Sequence, residues 1–159
     1  MRLNRTRLVL EESQAVIASR QPGQGVVANY LTEYILIIFY SEVEENLKII
    51  IGNKLKSSSN AEIANFITSK LESILNRVEK KELCKTLLYF GEEKKRAFIA
   101  EVDESTMTKY KGFIANRHNV AHVNKTVETS WLDVQSIADI GESVLGAFQE
   151  ALEEVPLAV

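Results

Sequence analysis

Residues 34–47 read Tyr-Ile-Leu-Ile-Ile-Phe-Tyr-Ser-Glu-Val-Glu-Glu-Asn-Leu, and this stretch decides the fold class. Its first half, residues 34–40, is apolar at every position, so by itself it is compatible with a buried strand or a buried helix. The second half distinguishes a helix from a strand, because apolar residues recur at steps of three and four through Val43 and Leu47 with polar residues between them. That is helical spacing. We therefore predict one long helix over residues 26–56.

The rest of the chain also favours helices, because it has only two Pro and seven Gly in 159 residues. Residues 21–25, Gln-Pro-Gly-Gln-Gly, are expected to end a first helix, and the polar residues 57–60 to separate the long helix from a third. Ser130 and Asp133 have the spacing of a capping box at the start of a last helix, which is expected to end before Pro156.

The predicted fold is all-α: a compact bundle of about five to six helices with a long second helix and a long C-terminal helix. We expect residues 1–159 to form a single domain. Within it, residues 1–25 would supply an N-terminal helix and turn, and residues 26–155 the bundle.

Composition excludes several classes of protein. A hydrophobic fraction of 45% is enough for a core, and a single Cys excludes a disulfide framework or a multi-cysteine metal site. The formal charge, 19 − 22 = −3, argues against a general nucleic-acid coat protein but not against a small nucleic-acid-processing site. The basic N-terminus lacks an apolar signal-peptide core, and residues 34–40 fall short of the ~20 residues that span a bilayer. We therefore expect a soluble, cytoplasmic protein with no membrane association.

Both histidines of the chain lie in residues 117–122, Arg-His-Asn-Val-Ala-His. Arg117 follows Phe113 by four residues and Ile114 by three, so it continues the apolar stripe of its helix. An inward-facing guanidinium needs a partner or a task, because a buried unpaired charge is costly. This position makes Arg117 the first candidate for a functional residue.

Two chemistries are open to this segment. His118 and His122 have a spacing seen in zinc-binding helices, but no third ligand is evident nearby. The second chemistry is acid–base catalysis without a metal, because His titrates near neutral pH and Arg offers a charged fork matched to phosphate oxygens. Positions 117 and 122 lie about 140° apart on a regular helix. They could meet if the helix ends between them, or if two copies of the segment face each other across a two-fold axis.

The segment resembles the Arg-x4-His signature of the HEPN superfamily, particularly its RNase-like branch in toxin–antitoxin and defence systems. The polar residue after the Arg, the all-α pattern, and a long final helix after the motif are all similar to that family. The resemblance implies a homodimer with two motifs in a shared cleft, needing no metal or cofactor. It implies His122 as general acid or base on the RNA 2′-hydroxyl and Arg117 as the group that stabilises phosphate charge. The supporting residues that it implies are His118, Asn119, Glu44 and Glu45.

The resemblance therefore predicts a metal-independent endoribonuclease that acts on RNA, with an antitoxin protein as a possible partner. The alternative is a catalytically silent helical module for dimerisation, partner binding or nucleotide binding. The densest basic stretch, residues 80–96, holds six Lys or Arg and could guide RNA, but the three Glu among them favour a solvated mixed-charge face.

Overall fold

The structure is a computed structural model, which describes residues 2–19, 25–57, 60–75, 77–122 and 128–153. Side chains at 63, 71–74, 121 and 122 lie outside this description. Every regular element in these ranges is helical. The helices are α1 (Asn4–Ala18), α2 (Gly25–Lys56), α3 (Ala61–Ile74), α4 (Lys80–Leu88), α5 (Glu92–Glu101), α6 (Glu104–His122), α7 (Trp131–Val134) and α8 (Ile137–Glu153).

The all-α class and the long second helix are confirmed, and α2 begins within one residue of the predicted start. The predicted number of five to six helices is too low, because eight are found in the described ranges. One reason is that Glu92–Glu101 forms a helix of its own, α5, after Gly91, whose φ of 133° is a conformation that favours Gly. The other is the predicted capping box of Ser130 and Asp133, which forms but starts only the four-residue α7 before α8.

Two predicted boundaries fall outside the described residues. The Pro-Gly break overlaps residues 20–24, and the end of the last helix before Pro156 falls in residues 154–159.

Helix α2 lies at the centre of the bundle, in contact with α1, α3, α6, α7 and α8. The ring of Phe39 packs edge-on against Tyr110 and against Phe113, each at 6.1 Å between ring centres. Aromatic pairs in this geometry add to the stabilisation from burial. These contacts fix the register of α6 on α2, and that register sets the position of the next turn of α6, which carries Arg117.

Helix α1 is held to this core by two carboxylates. Glu42 of α2 is buried and accepts hydrogen bonds from the backbone N–H groups of Arg5 and Thr6 and from the Thr6 hydroxyl. Glu142 of α8 accepts from the Leu3 N–H at 2.9 Å and from the Arg7 guanidinium. The first N–H groups of a helix have no partner within it, so these carboxylates do the work of a cap.

Helix α2 has the length and composition of a helix that could cross a membrane: an 18-residue window has a mean hydropathy of 1.2, and 33% of it is buried. This window is longer than the continuous apolar run of residues 34–40, on which the expectation of no membrane span is based. A mostly buried core helix and a signal sequence near the N-terminus can have the same length and composition.

Candidate functional site

Arg117 lies on the face of α6 that meets α2. Its guanidinium carbon is 4.0 Å from the centre of the Tyr40 ring, which is cation–π geometry. The Nε atom is sealed from solvent and has no hydrogen-bond partner among the described residues. The side chain as a whole remains partly accessible. The ring of Tyr40 therefore holds the guanidinium without occupying its hydrogen-bond donors.

Tyr40 is the residue of this site that the sequence did not single out. Burial raises the pKa of its hydroxyl, while the nearby charge of Arg117 lowers that pKa and the charge of Glu44 raises it. A hydrogen bond from the Val78 backbone also lowers it. Tyr110 donates its own hydroxyl to the Val78 carbonyl at 2.6 Å, and burial raises its pKa strongly. Both phenols are thus neutral at physiological pH and anchor the segment before α4 to the floor of the site.

The two carboxylates expected to support the site have other partners. Glu44 forms an i,i+4 ion pair with Lys48 at 2.8 Å. Glu45 forms an ion pair with Arg5 of α1. Within the described part of the chain no carboxylate forms an ion pair with Arg117. Glu44 acts on the site through its charge near Tyr40 rather than through a contact with the guanidinium.

Helix α6 continues without a break through position 122. Of the two ways in which Arg117 and His122 could meet, an end of the helix between them is therefore excluded. The two positions lie about 140° apart around the helix axis. Convergence of the pair requires a second copy of the chain. The side chain of His122 lies outside the described residues, so its contacts are not part of this geometry.

His118 and Asn119 line a cavity of about 550 Å³ whose lining includes neither Arg117 nor Tyr40. The motif is therefore divided: Arg117 contacts α2, and the next two residues face this cavity. Asn116, which the sequence did not single out, is buried on the same helix. It donates to the Gly112 carbonyl and accepts from the Glu128 N–H, each at 2.9 Å, so it ties the chain after the motif to α6.

Metal coordination was the other chemistry open to the two histidines. Among the side chains that the structure describes, no three His, Cys, Asp or Glu residues are close enough together to hold a metal ion. The side chain of His122 is not among them. Cys84 is partly buried on α4, and burial raises the pKa of its thiol, so it is protonated at neutral pH.

No family model matches the chain, and no curated protein or solved structure is significantly similar to it. The chemistry of the residues is therefore the basis for inferring a function. The side chains offer a guanidinium with no ion-pair partner in the described residues, two tyrosine hydroxyls held neutral, and a basic cavity beside the same helix.

Proposed function

We propose that the protein is a metal-independent endoribonuclease of HEPN type that works as a homodimer. The observation that carries this proposal is the state of Arg117: it is stacked on Tyr40 and has no ion-pair partner in the described ranges. Because Nε is sealed, the terminal N–H groups of this guanidinium would be the donors for an incoming phosphate.

The reaction follows from these residues. His122 takes the proton from the 2′-hydroxyl of the RNA, whose oxygen then attacks the adjacent phosphorus. The bond from phosphorus to the 5′-oxygen breaks, and that oxygen leaves as a hydroxyl after His122 returns the proton that it took from the 2′-hydroxyl. Arg117 stabilises the added negative charge on the five-coordinate phosphate. The products are a 2′,3′-cyclic phosphate and a 5′-hydroxyl, and no metal or cofactor is used.

A dimer is supported by a stripe of exposed apolar side chains along α2. Val26, Tyr30, Tyr34 and Ile37 follow at steps of four, four and three, and all are at least 41% exposed. Residues at this spacing share one face of a helix. Ile37 lies one turn before Tyr40, so the stripe leads to the ring that holds Arg117. A second copy on this face would bring two such sites close together.

We further propose a cytoplasmic setting in a toxin–antitoxin or defence system, where a partner protein would restrain the enzyme. Support for a soluble setting comes from α2, which contacts five other helices and carries the buried Glu42 that caps α1. The apolar stripe on α2 would also be available to an antitoxin.

RNA cleavage by purified protein in excess EDTA tests the proposal. Wild type should cut RNA and leave 2′,3′-cyclic phosphate ends. Arg117→Ala and His122→Ala should each lower the rate by about a hundredfold or more, since acid–base and charge stabilisation are each worth that much. His118→Ala is the matched control, the same change four positions earlier, and should cost less than about tenfold. Equal cleavage by wild type and His122→Ala would remove His122 from the mechanism.

The second candidate is a catalytically silent helical module for dimerisation or partner binding. The exposed stripe on α2 favours it too, because such a surface needs no catalysis to be useful. This reading expects a dimer or a partner complex with no RNA turnover. Sedimentation of the wild type and of Tyr34→Glu shows whether a dimer forms through the α2 stripe. The cleavage assay in EDTA then distinguishes the ribonuclease from the silent module.

A further inference from the structure

A cavity of about 550 Å³ lies between α6 and the segment that leads into α4. Its floor is apolar and includes the buried Tyr110 and Ile114, together with the exposed Ala115. Ligand pockets for small molecules are usually of this size and have mostly apolar walls. Arg117 does not line this cavity, but the next two residues of the motif, His118 and Asn119, do.

The rim of the cavity is strongly basic. Its described lining holds Arg77, Lys80, Lys81 and Lys111 against one acid, Glu79, a local charge of 4 − 1 = +3. The whole chain carries −3, so this concentration of positive charge runs against its composition. Such a patch attracts anions at a distance and holds them at contact.

Helix α4 begins at the same rim. Its N-cap residue, Glu79, makes no side-chain cap hydrogen bond, and α4 is nine residues long. The N-terminus of a helix carries a partial positive charge and unpaired N–H groups, both of which favour a phosphate. The cationic side chains and the N-terminus of α4 therefore both attract the same negatively charged ligand.

We propose that this cavity binds an organic phosphate: the phosphate at the cationic rim and an apolar, flat body on the floor beside Tyr110. The cationic rim alone would bind inorganic phosphate. The apolar floor increases the affinity for a ligand that also has an apolar part to bury. The source of that phosphate is either a small metabolite or a nucleotide unit of a nucleic-acid strand. This proposal does not rest on the ribonuclease activity, because it concerns equilibrium binding at residues other than Arg117 and His122.

Titration of the full chain with 1-naphthyl phosphate tests the proposal, with fluorescence or calorimetry as the readout. Saturable binding is expected, weakened by salt and at least about tenfold tighter than that of 1-naphthol or inorganic phosphate. Lys111→Glu should weaken it by about tenfold or more. Lys109→Glu is the matched control, an exposed Lys two positions earlier on α6 outside the cavity lining, and should change affinity by less than about twofold.

A second pair of variants tests the cavity without changing charge. Ala115→Trp would fill the floor and should abolish binding, whereas Ala100→Trp, at an exposed position on α5, should leave it intact. Circular dichroism confirms that each variant folds.

A short oligodeoxynucleotide, which lacks the 2′-hydroxyl and resists cleavage, identifies the source of the phosphate. Competition with naphthyl phosphate that is lost in Lys111→Glu assigns the site to a strand, and absence of competition assigns it to a small metabolite. No saturable binding of either probe at millimolar concentration, or equal effects of Lys109→Glu and Lys111→Glu, would overturn the proposal. A failure of RNA cleavage would leave these binding results unchanged.

Discussion

The guanidinium carbon of Arg117 lies 4.0 Å above the centre of the Tyr40 ring. This contact joins α6 to α2 and leaves the charge without an ion-pair partner in the described part of the chain. The aromatic face lowers the cost of partial burial, while the donors stay open to a ligand. The same contact makes Tyr40 a positioning residue for any chemistry that Arg117 performs.

A double-mutant cycle measures this contact. Tyr40→Leu and Arg117→Met should each lower the free energy of unfolding, and the double variant should lose less than the sum by about 1 kcal/mol. Urea unfolding of the four proteins gives the coupling. Tyr40→Phe is the control, since it keeps the ring and should keep most of the coupling. Strict additivity of Tyr40→Leu and Arg117→Met would mean that the stack stabilises nothing.

Glu42 should matter more than its neighbour on the same helix. It is 6% exposed and accepts three hydrogen bonds at the start of α1, so Glu42→Ala should lower the free energy of unfolding by about 2 kcal/mol or more. Glu45→Ala removes only the exposed pair with Arg5 and should cost less than about 1 kcal/mol. Chemical denaturation of both variants makes the comparison. Equal losses would show that α1 is held by something other than this carboxylate.

Two glycines of α8 should respond to Ala in opposite ways. A Cβ at Gly141 would overlap the Phe39 ring and approach the Leu3 side chain to 2.6 Å, so Gly141→Ala should destabilise by about 1 to 3 kcal/mol. A Cβ at Gly146 meets nothing within 4 Å, so Gly146→Ala should stabilise by about 0.5 to 1 kcal/mol through helix propensity. Thermal unfolding of both variants measures these changes in stability. A stable Gly141→Ala protein would contradict the close packing of α8 on α2.

The attachment of α1 should weaken in acid. Hydrogen bonds from the Arg7 side chain, above all, lower the pKa of Glu142 from its ordinary value of 4.5. The folded state therefore binds this proton less readily than the unfolded state. The resulting stability is present above pH 4.5 and is lost as the pH falls through the lower folded pKa.

Urea unfolding from pH 7 to pH 3 checks that dependence. The difference in unfolding free energy between wild type and Glu142→Gln should be largest near pH 7 and should shrink below pH 4.5. A difference that stays constant across this range would mean that the Arg7–Glu142 contact contributes nothing that depends on ionisation.

The all-α class was predictable because local sequence patterns determine it. The apolar run of 34–40 followed by steps of three and four specifies a helix before any packing is considered, and the cap of Ser130 and Asp133 is a local rule that the structure repeats. The number of helices was harder, because the apolar residues of α5 do not form a long stripe and because the capping box starts only the four-residue α7.

The candidate site was predictable only in part. The stripe on α6 identifies Arg117 as a residue near the core, but its ring partner is on another helix, and no local pattern names Tyr40. The same limit applies to Glu45. The Glu44–Lys48 pair is a local i,i+4 contact within α2, whereas the pairing of Glu45 with Arg5 depends on how α1 packs.

The most direct test of the central claim is RNA cleavage in EDTA by a mixture of Arg117→Ala and His122→Ala proteins. On one uninterrupted helix the two positions do not converge, so the proposed site is shared between two copies. Each variant alone should be inactive, and the mixture should regain a measurable fraction of wild-type cleavage. An inactive wild type, or a mixture no more active than either variant alone, would contradict a shared Arg117–His122 site.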